Sequence, residues 1–202
     1  MKILPILQLQ NNVSAKLTAR QSRQRGFSLT ELMMVIGIVG ILTAVALPSF
    51  TETIRRYRVS SARDGLVASI NFARIEAIRN GTQVVIERSP ASAACSVAPT
   101  VASDWGCGWT VYVDRNFNLA QDPLELSIQN IAEPRGVAVT HPGNAGQVRL
   151  VINRWGQPGT VGDSFVFFPA DQGIGAASTS TTCINAGGRI RNLSGTPTCT
   201  NT

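Results

Sequence analysis

The chain has 202 residues, a formal net charge of +6, 44% hydrophobic residues and 6% aromatic residues. Five of its cations lie in residues 1–26, which contain no acid, so the rest of the chain carries only +1. The basic balance therefore does not indicate nucleic-acid binding. It belongs to the amino-terminal segment, where positive charge keeps an amino end cytoplasmic. The remaining length is enough for one globular domain with its own core.

An apolar run of 24 residues, from Phe27 to Phe50, comes first, and Glu31 is its only ionisable side chain. This length suffices for a helix that crosses a bilayer core, which needs about 20 apolar residues. A secretory signal has a shorter apolar core, about 7–15 residues, followed by its cleavage site. Here the cations and Gly26 precede the run. We therefore expect any cleavage to fall in front of the run and to leave it on the mature protein.

Glu31 requires a partner if it lies within a spanning helix, because an acid at the helix centre costs about 2.5–3.5 kcal/mol on insertion scales. After cleavage before Phe27, the new α-amino group of this chain or of a neighbour is such a partner. The alternative is that Glu31 lies at the membrane face and stays hydrated.

The segment Arg25-Gly26-Phe27-Ser28-Leu29-Thr30-Glu31, followed by an apolar helix, resembles the prepilin signature of type IV pilins and type II secretion pseudopilins. The resemblance implies that a prepilin peptidase cleaves between Gly26 and Phe27 and methylates the new amino terminus. It also implies that Glu31 neutralises a neighbouring subunit's amino terminus during fibre assembly. Residues 1–26 are then a cleaved leader, and residues 27–80 are a transmembrane and assembly helix.

The predicted helix contains Pro48 and ends at Asn80-Gly81, a pair typical of a left-handed cap. Its outer half carries an amphipathic stripe at spacings near three and four: Ile54, Tyr57, Ala62, Leu66, Ile70, Ala73, Ala77 and Ile78. Four arginines just outside the predicted bilayer are interpreted as a solvated face that meets lipid head groups, with DNA contact as the lesser alternative: Arg55, Arg56, Arg58 and Arg63.

Beyond the helix the hydrophobic period changes to two. Six segments are predicted as strands: Thr82–Arg88, Gly108–Asp114, Leu124–Ile131, Gly136–Thr140, Gln147–Asn153 and Ser164–Pro169. Residues 81–171 are thus expected to form a β-rich domain, and the fold class is α+β, with a long helix packed on antiparallel sheet. Residues 172–202 are small and polar, with too few apolar side chains to build a core, so they are predicted to be a polar tail.

Two internal segments extend the family resemblance: Phe72-Ala73-Arg74-Ile75-Glu76-Ala77-Ile78 and Trp105-Gly106-Cys107-Gly108-Trp109-Thr110-Val111-Tyr112-Val113-Asp114. Together with the amino-terminal signature they resemble the GspH/FimT group of minor pilins and pseudopilins. The resemblance implies a type IV pilin-like fold with other major and minor pilins as partners. It also implies an inner-membrane location with a periplasmic domain before assembly, and an extracellular fibre afterwards.

The four cysteines form two pairs that are local in sequence, and no C-x-x-C spacing indicates zinc. Three pairings are possible. Cys95–Cys107 and Cys183–Cys199 are favoured because each closes a short loop, and an oxidising compartment beyond the membrane would keep both as disulfides. The second disulfide would clip the predicted polar tail.

Arg189 and Arg191 are the candidate binding residues, in the string Gly187-Gly188-Arg189-Ile190-Arg191-Asn192. No acid occurs from residue 172 to the end of the chain. Alternation along an extended segment puts both guanidinium groups on one side, about 7 Å apart, with Ile190 turned inward. That separation approximates the phosphate spacing along one nucleic-acid strand.

This Gly-Arg-x-Arg string, followed by Pro197 and Cys199, resembles the tail motif of FimT-type pilins that bind DNA during natural transformation. The resemblance implies sequence-independent binding of DNA phosphates by the two arginines, supported by Gly188 and Asn192. The alternative is an exposed edge strand whose charges deter aggregation. Two other functions remain open: a purely structural minor pilin that primes assembly, and a type II secretion pseudopilin.

A second polar cluster matches positions 1, 3, 5, 9 and 12 of a calcium loop: Asp114, Asn116, Asn118, Asp122 and Glu125. Position 6, which requires glycine, is Leu119, and predicted strands flank the segment. Because Asx-rich hairpin connections arise without metal, no metal site is predicted.

No enzyme activity and no cofactor are predicted. His141, the single histidine, stands beside Pro142 in an expected turn and is expected at the surface. No serine or cysteine lies in a nucleophile motif. Trp105, Trp109 and Trp155 are expected to pack in the core rather than to stack on bases as in single-strand binders.

Overall fold

A computed structural model describes residues 26–90, 95, 103–142, 148–159, 163–196, 198 and 199, without the side chains of residues 45–49. Of the predicted leader, only Gly26 is among the described residues. Pro197 also lies outside them. In the described part, one helix precedes eight strands: α1 (Leu29–Asn80), β1 (Gln83–Arg88), β2 (Trp109–Asp114), β3 (Ser127–Ile131), β4 (Val137–Thr140), β5 (Arg149–Ile152), β6 (Asp163–Pro169), β7 (Ser180–Ile184) and β8 (Ile190–Ser194).

The chain divides into two compact units, Met1–Thr43 and Ala44–Thr202. In the first unit, Ser28 caps the start of α1, because its Oγ accepts a hydrogen bond from the Glu31 backbone N–H at 3.2 Å. Glu31 lies in the first turn, where a negative charge is favourable beside the helix N-terminus. Among the described residues, no helix combines the length and the apolar character that a membrane crossing requires, so the predicted span is not confirmed.

In the second unit the strands form two four-stranded antiparallel sheets, ordered β3-β2-β1-β5 and β4-β6-β7-β8. The first sheet has β1 at its centre, with Val85 opposite Tyr112 on one side and Val151 on the other. All six predicted strands are present with ends shifted by a few residues. The predicted α+β class is confirmed.

One core joins α1 to both sheets. The buried stripe of α1 is spaced by three and four residues: Val59, Ala62, Leu66, Ile70, Ala73 and Ala77. Three residues of the predicted stripe are instead exposed, namely Ile54, Tyr57 and Ile78. Their apolar character alone assigned these three residues to the predicted buried face. Ile78 directly follows the buried Ala77, so it lies about 100° further around the helix and faces away from the core.

The prediction of a core-free tail over 172–202 is wrong. All five residues of β7 are buried, and β7 lies between β6 and β8. Their hydroxyls are satisfied across the β7–β8 pair: Thr181 Oγ1 donates to Gly195 O at 2.6 Å, and Thr182 Oγ1 donates to Asn192 Oδ1 at 2.8 Å. A strand of serine and threonine can therefore be buried without orphaned polar groups.

The structure contains the favoured disulfides, Cys95–Cys107 and Cys183–Cys199. The surface position expected for His141 is wrong, because its side chain is fully buried. The ring stacks on Phe165 at 4.4 Å between centroids, and Nε2 lies 3.3 Å from Oδ1 of the buried Asp163. The backbone explains the burial: His141 N donates to Ser103 O at 2.8 Å, so a distant segment of the chain covers the expected turn.

Candidate functional site

The Asn185–Arg189 turn joins β7 to β8 and is closed by its own backbone. Gly188 N donates to Asn185 O at 2.8 Å, and Asn185 N donates to Arg189 O at 3.1 Å. The side chain of Asn185 adds a third bond, since Oδ1 accepts from Arg189 N at 2.8 Å. Arg189 thus projects, exposed, from a turn whose backbone is fixed.

Strand β8 is the edge of its sheet and carries the other candidate residues. Ile190 lies opposite Ile184 and packs against the core, which is the inward orientation expected for it. Arg191 lies opposite Cys183, on the other face, and is half-buried. Asn192 is exposed and its Oδ1 accepts the bond from Thr182 described above. The four predicted residues are therefore contiguous on one hairpin.

Arg74 of α1 fixes this hairpin to a second turn, residues 153–157. Its Nε donates to Gly156 O and its Nη1 donates to Gly188 O, both at 2.8 Å. A Cβ on Gly188, whose φ is +79°, would lie 3.0 Å from Arg74 Cζ. The role of Gly188 is therefore to leave space, through its missing side chain, for the guanidinium of Arg74. Sequence reasoning missed the role of Arg74, since nothing local marks which carbonyls a helix arginine reaches.

The 153–157 turn presents Trp155. Asn153 Oδ1 accepts from the backbone N–H groups of Trp155 and Gln157, both at 3.0 Å. The indole is 70% exposed, and Arg154 Cζ lies 5.4 Å from the ring centroid. Core packing is correct for Trp105 and Trp109, which are fully buried, and wrong for Trp155.

The two turns carry uncompensated positive charge. Among the described residues neither Arg154 nor Arg189 makes an ion pair, whereas Arg56 pairs with Glu52 and Arg79 pairs with Glu76. Residues 148–159 and 172–202 contain no acid. We call Arg154, Trp155 and Arg189, with the two turns that bear them, together with Arg191 of β8, the arginine surface. Its chemistry suits a polyanion that also offers planar groups.

The 114–125 segment, here called the Asx loop, is arranged differently. Asp114 is fully buried, and its carboxylate accepts from the backbone N–H groups of Phe117 at 2.7 Å and Leu119 at 2.9 Å. Glu125 Oε1 accepts from Arg115 N at 2.7 Å. Leu119 has φ +61° where a calcium loop has glycine. In the described part of the chain, no group of three histidine, cysteine, aspartate or glutamate side chains is placed to hold a metal ion.

The residues predicted for processing and assembly lie at the start of α1. Gly26 and Glu31 are exposed, and the Phe27 side chain is 83% exposed. The apolar side chains that follow are also exposed, among them Met33 at 68% and Ile41 at 70%. These exposures leave the first unit open to contacts, and the roles of the three residues remain predictions.

Two family profiles match the chain. The family described as "Type II transport protein GspH" matches residues 62–196, which contain the arginine surface, the Asx loop and the strands. The motif described as "Prokaryotic N-terminal methylation motif" matches residues 21–47, which contain Gly26, Phe27 and Glu31.

Individual proteins are similar over different parts of the chain. The "Pilin-like protein PilA1" of Thermus thermophilus is 30% identical over 127 residues, which are 63% of this chain and 67% of that protein. A "Fimbrial protein" of Moraxella nonliquefaciens is 52% identical over 54 residues, 25% of this chain and 35% of that protein. The crystal structure of the type IV minor pilin FimU of Pseudomonas aeruginosa gives a TM-score of 0.49 at 18% identity, covering 71% of this chain and 91% of that one.

Proposed function

The chain belongs to the GspH family, and from this premise we propose that it is a minor pilin that captures DNA for uptake in natural transformation. The observation that carries the DNA proposal is the exposed Arg189 on a fixed turn, which makes no ion pair with any described residue and lies next to Arg191 on the edge strand β8. Members of this family are structural subunits, so no catalytic role is proposed.

The assembly part of the proposal concerns the first unit. A prepilin peptidase would cleave between Gly26 and Phe27 and methylate Phe27, and the match of the methylation motif to residues 21–47 supports this. The exposed Glu31 would then neutralise the amino terminus of a neighbouring pilin. The subunit would lie in the inner membrane with a periplasmic domain before assembly, and in the extracellular fibre, at or near its tip, afterwards.

The DNA part of the proposal rests on phosphate contact. A guanidinium binds phosphate oxygens through two parallel N–H donors, and such contacts carry no sequence information. The turn around Gly188 and the Cys183–Cys199 disulfide fix the two arginines before DNA arrives, which lowers the entropy lost on binding. Binding should therefore be independent of sequence and sensitive to salt.

Fluorescence anisotropy with short duplexes tests this on the full chain in detergent. In the variant Arg189→Gln/Arg191→Gln, affinity should fall for every sequence alike, and the log–log salt slope should flatten by about two units. The matched control is Arg56→Gln/Arg79→Gln, which removes the same charge from arginines that already pair with acids. Equal affinities for wild type and the first variant would refute the arginine surface as the DNA site.

A second candidate is a type II secretion pseudopilin without DNA binding, which the description of the matched family favours. A purely structural minor pilin that primes assembly is the remaining possibility. Deletion of the gene separates the three proposals. The DNA-binding pilin predicts loss of transformation with fibres still present, the priming pilin predicts loss of fibres, and the pseudopilin predicts loss of protein secretion.

A further inference from the structure

We propose that Trp155 is a base-stacking platform, so that the arginine surface takes single-stranded DNA in preference to duplex. This inference rests on the proposed DNA-binding function and names the form of DNA that the same surface accepts. It starts from the 70% exposure of the indole, the largest side chain a protein can offer to a nucleobase.

The turn that bears Trp155 is built to hold the indole outward. Asn153 bonds the backbone on both sides of the residue, through Trp155 N and Gln157 N. Gly156 has φ +75°, and a Cβ there would meet Ile78 Cδ1 at 2.9 Å, so the next residue is pressed against α1. The backbone cannot rotate the indole into the core without breaking these contacts. A fixed aromatic side chain has few rotamers to lose when a ligand covers it.

Arg154 prepares one face of the indole. Its guanidinium carbon lies 5.4 Å from the ring centroid, within the range of a cation–π contact. Because Trp155 as a whole is 70% exposed, the face of the indole opposite Arg154 is taken as the one on which a base stacks. Arg154 makes no ion pair among the described residues, and its charge is therefore available to the phosphate of the stacked nucleotide.

Arg74 joins this platform to the phosphate-binding arginines. It donates to the carbonyl of Gly156, the residue after Trp155, and to the carbonyl of Gly188, the residue before Arg189. Trp155 and Arg189 are thus each the chain neighbour of a residue whose carbonyl this guanidinium binds, and consecutive Cα atoms are about 3.8 Å apart. A strand whose phosphates contact Arg189 can place a base on Trp155. In a duplex the bases are already stacked and paired, so only an unpaired strand gains this contact.

Three oligonucleotides of equal length test the proposal on the full chain in detergent: single-stranded oligo(dT), an abasic strand with the same number of phosphates, and a duplex with twice that number. We expect wild type to bind oligo(dT) about tenfold more tightly than the abasic strand, in keeping with one base–aromatic stack. Trp155→Ala should remove this preference without changing the salt slope, and Trp155→Phe should keep most of it.

Leu124→Ala is the matched control, because it removes an apolar side chain that is 92% exposed and lies in the Asx loop. Oligo(dT) should also quench tryptophan fluorescence in wild type but not in Trp155→Ala, since Trp105 and Trp109 are buried. Equal wild-type affinities for oligo(dT) and the abasic strand, or a Trp155→Ala variant that keeps the preference, would overturn the stacking proposal while leaving phosphate binding intact. If none of the three oligonucleotides binds, the DNA-binding function itself fails, and the stacking proposal fails with it.

Discussion

The Asx loop and the arginine surface are both rich in polar side chains. In the first these side chains bind the protein's own backbone, and in the second those of Arg154 and Arg189 are exposed to solvent. In the Asx loop the carboxylates of Asp114 and Glu125 are consumed by backbone N–H groups of the loop itself. In the arginine surface, Asn153, Asn185 and Arg74 make hydrogen bonds to the backbone, and Arg154 and Arg189 form no ion pair within the described part of the chain. The comparison shows that residue types alone only suggest a binding site. Whether the polar side chains can bind a ligand depends on the hydrogen bonds that they already make within the protein.

The largest effect on stability should come from a substitution in the Asx loop. Asp114→Ala removes a buried carboxylate that also accepts from Gln83 Nε2 at 2.6 Å, and it leaves the N–H groups of Phe117 and Leu119 without their acceptor. We expect a loss of about 4–5 kcal/mol in the free energy of unfolding, since each of these three hydrogen bonds to a charged group contributes at least about 1.5 kcal/mol. Urea denaturation measures this loss.

DNA affinity should be unchanged in Asp114→Ala under conditions where the variant is folded. Asn116→Ala, at an exposed position of the same loop, is the control and should cost far less stability. A large drop in DNA affinity for either variant would show that the Asx loop takes part in binding, and the contrast between the two regions would fail.

The next effect should appear in the arginine surface. Gly188→Ala places a Cβ 3.0 Å from Arg74 Cζ at a φ of +79°, so we expect a loss of about 1–2 kcal/mol in stability and a several-fold loss in DNA affinity as Arg189 is displaced. Gly187→Ala is its neighbour and control, because its Cβ would meet nothing closer than 3.5 Å. Denaturation and anisotropy measured on the same samples check both expectations. Identical behaviour of the two variants would mean that Arg74 does not position the turn.

The smallest effect concerns an arginine that is already compensated. The hydrogen bond from Arg55, at 2.6 Å, lowers the pKa of the Asp171 carboxyl below its ordinary value. A depressed pKa gives stability that is present above the unfolded value, near 4, and is lost as the pH falls through the folded value. The melting temperature of wild type should therefore exceed that of Asp171→Asn at neutral pH, and the difference should vanish in acid. The difference should be small because the pair is exposed to solvent.

Features that depend on local periodicity were predictable from the sequence. The end of α1 at Asn80, the inward side of Ile190 and the pairing of neighbouring cysteines each follow from residues a few positions apart. The buried β7 was not predictable in the same way. Serine and threonine are predicted at the surface unless a neighbouring strand accepts hydrogen bonds from their hydroxyls. Here the acceptors lie 10 to 14 residues away in sequence.

The sequence was sufficient to predict the charged residues of the candidate site, but not which distant residues lie beside them. Arg189 and Arg191 stand in one short string, whereas Arg154 and Trp155 join them only through Arg74, which lies 82 residues from Gly156 and 114 from Gly188. His141 shows the same limit, since the contact that buries it comes from Ser103. A single sequence does not show such distant contacts, and a turn-forming neighbour such as Pro142 then suggests a surface turn.

Arg74 also has a mechanical consequence. An edge hairpin that is pulled from its tip peels apart one hydrogen bond at a time, which is the weakest direction for a sheet. Here the Gly188 carbonyl at the tip accepts a hydrogen bond from Arg74, so a pull on the tip would load α1 as well as the hydrogen bonds between β7 and β8. If Arg189 binds DNA as proposed, a force on that DNA would therefore reach the helix before it separates β8 from β7.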